Sequence, residues 1–141
     1  VAIKKWVGLM VVVGICLLAM GINYTKKSVV SQIVLNQQTQ VFDEAQFLFK
    51  PIYEFNETRH DLKLLISVTS YIYPELLTLD YGEMIVLEVG DQVWGADTYD
   101  ILETTPHSLV VQLIFKLDSF DPSAPFGVRL FTYSDNEVRW N

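Results

Sequence analysis

A chain of 141 residues with ten basic and seventeen acidic side chains, a formal net charge of −7, has room for one membrane-crossing segment and one small folded domain. The acidity argues against nucleic acid, whose phosphates repel such a surface. The lone cysteine, Cys16, excludes an intrachain disulfide and a cysteine-based metal cluster. The charge is also divided along the chain. Residues 1–27 hold four lysines and no acid, whereas residues 28–141 hold six basic residues against all seventeen acids, a net −11.

The first predicted element is the apolar run over residues 6–22, WVGLMVVVGICLLAMGI, with no charged residue and no Pro, Asn, Gln, Ser or Thr. Extended through Tyr24 as a helix it measures roughly 28 Å, close to the hydrocarbon thickness of a bilayer. Lys4 and Lys5 precede it and Lys26 and Lys27 follow it, with Trp6 and Tyr24 at the positions of interfacial anchors. A secretory signal is the competing reading, with Ala19 and Gly21 as the small residues before a cleavage. The length of the run favours a retained anchor. A bulky Ile15 before Cys16 disfavours a lipoprotein cysteine, so the thiol is expected to be buried and inert. A short basic head before a large acidic domain favours a cytoplasmic N-terminus and an extracytoplasmic domain. Gly14 and Gly21 fall on one helix face and Gly8 and Ala19 on another, and either face would let a neighbouring helix approach.

Beyond the polar exit over residues 23–28, residues 28–35 (SVVSQIVL) suit either a helical stalk or a first strand. The β-branched content and the polar cluster over 36–40 favour the strand and its turn. In residues 47–55, Phe47, Phe49, Tyr53 and Phe55 share one face at period two, and Pro51 demotes the run to an edge or bulged strand. A polar turn over 56–61 carries the sequon Asn56-Glu57-Thr58; a second sequon begins at Asn23, too close to the membrane for modification. Asn56 is thus a glycosylation candidate in an exported domain.

Residues 62–71 alternate, with Leu62, Leu64, Ile66 and Val68 on one face, which predicts a half-buried antiparallel strand. Tyr73-Pro74 breaks it. Further strands are predicted over 84–89, before Gly90-Asp91, and over 98–103. The strongest lies over 109–117, where Leu109, Val111, Leu113, Phe115 and Leu117 all point one way. A loop over 118–127 with two prolines and a glycine follows, and then a terminal hairpin of 128–133 and 138–140 about a turn at 134–137. Seven or eight short strands with no amphipathic helix predict a mainly β chain: an N-terminal transmembrane helix (domain 1–27) followed by an antiparallel β-sandwich, immunoglobulin-like or jelly-roll-like (domain 28–141).

The chemistry-bearing residues are sparse. His60 and His107 both fall in predicted turns, and His60-Asp61 is better explained as a charged turn than as a base with its orienter. Asp118 and Asp121, with Asp97 and Asp100 in reach, are weak calcium candidates, since hard cations take oxygen ligands. Asp and Ser beside Pro form turns for the same reasons. No nucleophile elbow or phosphate loop is present. Tyr71, Tyr73 and Tyr81 cluster around Pro74 without strand periodicity, as residues of a contact patch do. These features predict a non-enzymatic membrane protein with no cofactor. Its expected role is an accessory or structural subunit that meets the bilayer and other membrane subunits. The alternatives are a tethered module for a small ligand, glycan or calcium, and a surface-filament subunit.

Overall fold

The computed structural model describes residues 29–130 and 137–141. The apolar run, its anchors Trp6 and Tyr24, and the packing candidates Gly8, Gly14, Ala19 and Gly21 lie outside the described residues. Among those described, no helix is long and apolar enough to cross a membrane.

Two antiparallel sheets form a β-sandwich-like body. The first contains β1 (Ser31–Val34), β2 (Gln38–Phe42), β3 (Ala45–Phe55), β4 (His60–Thr69), β7 (Thr98–Thr104) and β8 (Ser108–Lys116), in the order β1-β3-β4-β8-β7 with β2 also on β3. The second is β10-β9-β5-β6, from β5 (Ile85–Val89), β6 (Gln92–Gly95), β9 (Phe126–Leu130) and β10 (Glu137–Trp140). Alternation puts Leu62, Leu64, Ile66 and Val68 of β4 on one face, all fully buried, opposite Val111, Leu113 and Phe115 of β8 and against Leu87 and Val128 of the second sheet. Each such side chain contributes about 1.5–3 kcal/mol by leaving water.

Pro51 explains the most irregular feature. β3 is no edge strand: β4 flanks one side and β1 and β2 flank the other. The register runs Val34↔Ile52 and then Gln38↔Phe49, so residues 35–37 face only Lys50 and Pro51, a one-residue bulge. The Pro51 carbonyl accepts from the Leu35 N–H at 3.0 Å, which places its hydrogen-less nitrogen on that same side. The missing donor therefore faces the bulge, and the ladder to β4 is unbroken from Phe55↔His60 to Gln46↔Thr69. Trp140 Nε1 donates to the Asn36 carbonyl at 2.6 Å, tying the second sheet to the bulge.

The structure corrects three boundaries and adds two short elements. Thr39 and Gln40 belong to β2, and its turn to β3 is Asp43-Glu44, both at positive φ (50° and 61°), as a type I′ hairpin requires. His60 opens β4 instead of sitting in the preceding turn. A strand absent from the expectation, β6, follows the Gly90-Asp91 turn, and one helical turn, α1 (Tyr81–Met84), is capped by the Asp80 carboxylate on the Gly82 and Glu83 N–H groups. Phe126 and Gly127 start β9, so the proline-rich loop ends earlier. A glycine fits that strand because a Cβ on Gly127 would lie 2.9 Å from Glu137 Oε2. Ser31–Val34 is a strand, as favoured over a stalk.

Candidate functional site

Where β4 ends, the chain builds a small rigid tip. Ser70 N–H donates to the His107 carbonyl at 2.9 Å, closing the ladder with the start of β8. The Ser70 side chain is buried, and its hydroxyl serves Tyr73 twice: it accepts from the Tyr73 N–H (3.2 Å) and donates to the Tyr73 carbonyl (2.9 Å). Tyr71 and Ile72 are held in the loop outside this clamp. Pro74 then fixes a 3-10 turn, Pro74–Leu77, whose Leu76 enters the core.

The result is three consecutive large side chains facing solvent, Tyr71 at 71%, Ile72 at 55% and Tyr73 at 40% exposure. His107 supports Tyr71 from behind, with ring centroids 4.6 Å apart. Tyr73 also borders a cleft of about 350 Å³ with Asp43, Glu75 and Leu76. The expected tyrosine cluster is therefore split. Tyr81 is core: fully buried, edge-on to Phe47, its hydroxyl donating to the Leu76 carbonyl at 2.6 Å. Tyr71 and Tyr73 form the patch, joined by Ile72 and Ser70, which the sequence reading did not single out, and by His107, which it placed in a turn without linking it to the tyrosines. The run Tyr-Ile-Tyr beyond the last alternating residue was the available signal.

The other candidates are placed as follows. Asn56 lies half-buried in the β3–β4 turn, where its Oδ1 accepts from the Thr58 N–H (2.9 Å) and hydroxyl (3.3 Å). Asp121 accepts from the backbone N–H (2.9 Å) and hydroxyl (2.6 Å) of Ser123, and these two bonds hold its carboxyl below the ordinary value. Asp118 shares that loop. Asp97 takes the Lys116 N–H at 2.7 Å. No group of three or more His, Cys, Asp or Glu that could hold a metal ion occurs among the described residues.

His60 and Asp61, being consecutive in a strand, point to opposite faces. The His60 Nδ1 meets the Tyr53 hydroxyl at 2.6 Å, while Asp61 pairs with Arg59. The two do not form a base and its orienter. Around Asp61, a network joins Arg59 and Lys63 to Glu54, which also accepts from Gln32.

Comparison with protein-family models, curated proteins and solved structures finds no match to this chain.

Proposed function

We propose that the chain is a non-catalytic, single-pass membrane protein, an accessory or structural subunit of a larger membrane complex. Residues 6–22 anchor it in this reading, with the N-terminus cytoplasmic. The β domain, of the broad immunoglobulin-like or jelly-roll-like class, makes protein contacts on the extracytoplasmic side. The observation that carries the proposal is the clamped tip: Tyr71, Ile72 and Tyr73 expose contiguous aromatic and aliphatic surface on a backbone already fixed by Ser70. A preordered aromatic patch loses little side-chain freedom on binding, and Tyr is enriched where contact energy concentrates.

Strand polarity supports the same reading. β1 begins opposite Phe55, at the end where β3 turns into β4, whereas the tip adjoins Ala45 and Thr69 at the other end. Ten strand steps separate the two ends, roughly 30 Å. A chain tethered through residues preceding β1 holds the tip away from its tether. Purification in mild detergent followed by cross-linking tests this, with stoichiometric partners as the expected result and a monomer as the contrary one.

A tethered ligand-binding module is the second reading. It is favoured by an open cleft of about 460 Å³ lined by Arg59, His60, Asp61 and Lys116 among others. That module would melt at a higher temperature with its ligand present.

A further inference from the structure

We infer that the tip docks on a protein surface that presents lysine or arginine side chains around an apolar spot. This rests on the reading of Tyr71, Ile72 and Tyr73 as a contact site. The loops of the first sheet at this end, residues 42–46, 69–77 and 104–108, contain Asp43, Glu44 and Glu75 and no lysine or arginine. All three carboxylates are exposed, and none is in an ion pair with a described residue.

Four strand carboxylates are paired, whereas Asp100 and Glu103 of β7 are in no ion pair with a described residue. Glu54 and Asp61 are held by Arg59 and Lys63, and Glu88 and Glu137 by Arg129 and Arg139. The uncompensated charge of these sheet-end loops therefore borders the apolar patch. A cationic partner satisfies both parts of the tip, because a guanidinium also stacks over a tyrosine face. The acidic domain as a whole steers such a partner toward it. A second copy of this chain is the poorer occupant, since tip-to-tip packing would bring Asp43, Glu44 and Glu75 against their own equivalents.

Photocrosslinking of the full chain in its native membrane tests the inference. Tyr71 is replaced by p-benzoylphenylalanine, and Val93, exposed on the β6 edge, is replaced likewise as a control. The crosslinked partner segment at position 71 is expected to carry net positive charge. Its yield should fall about tenfold in an Asp43→Asn/Glu75→Gln double variant with an unchanged melting temperature, and not in Glu57→Gln at the opposite end. A neutral or acidic partner segment, or a yield indifferent to neutralisation, overturns the inference. Crosslinks from Val93 but none from Tyr71 overturn it while leaving a complex in place. Crosslinks from neither position remove the contact reading as well.

Discussion

At Ser70 one buried hydroxyl holds both the N–H and the carbonyl of Tyr73, a carbonyl that also accepts from the Leu76 N–H at 3.1 Å. Ser70→Ala should cost about 1 kcal/mol in urea unfolding, because the Tyr73 N–H and carbonyl each lose a partner. Glu44 is a second residue-scale case. It sits at φ 61° in the β2–β3 turn, where an L side chain crowds its own backbone. Glu44→Gly should therefore raise stability by about 1 kcal/mol, read as a higher urea midpoint. Glu54 supplies a pH dependence. Partial burial pushes its carboxyl up, yet hydrogen bonds from Lys63 and Gln32 and the charges of Lys63 and Arg59 hold it below the ordinary 4.5. A carboxyl whose folded value is depressed stabilises the fold above its unfolded value, and that contribution is lost as pH falls through the folded value. Urea midpoints followed from neutral pH to about pH 3 should thus decline less in Glu54→Gln than in the parent, the divergence beginning near the ordinary glutamate range.

At the scale of elements, β4 and β8 were legible because their neighbours bury every second residue. Burial alternates without a break from Leu62 through Val68 and from Leu109 through Phe115, although Leu65, Val110 and Ile114 place apolar side chains at half-buried positions of the other face. β2 and β6 were not legible for the converse reason. QVWG is mostly exposed, and QTQVF buries only Phe42, its polar Gln38 and Gln40 taking the half-buried positions, so no apolar alternation marks either strand. Pro51 was legible as an interruption, but not as one displaced into the facing strand, since that depends on which side its nitrogen faces. The candidate tip was legible in part: Tyr71 and Tyr73 lack strand periodicity, while the burial of Tyr81 follows from α1 packing over the core. Gly82 in that turn is tightly enclosed, with a Cβ placed there only 2.7 Å from Tyr99 Cβ. Gly82→Ala should destabilise by about 1–3 kcal/mol, measured by thermal or urea unfolding, because Tyr99 or α1 must move.

At the scale of the whole molecule, the end where β1 begins and the aromatic, acidic tip lie at opposite ends of the strand direction, and in the proposed role the first carries the tether and the second the contact. The central claim is that the tip holds the chain in a complex. The most direct measurement is the mass and composition, by light scattering and cross-linking, of the full chain extracted from its native membrane in mild detergent. The parent is compared with a Tyr71→Ser/Ile72→Ser variant. Both positions are solvent-facing, so the variant should keep the melting temperature of the parent. The parent should carry stoichiometric partner polypeptides, and the variant should run as the chain alone. A monomeric parent, or a variant that keeps its partners, would contradict the account.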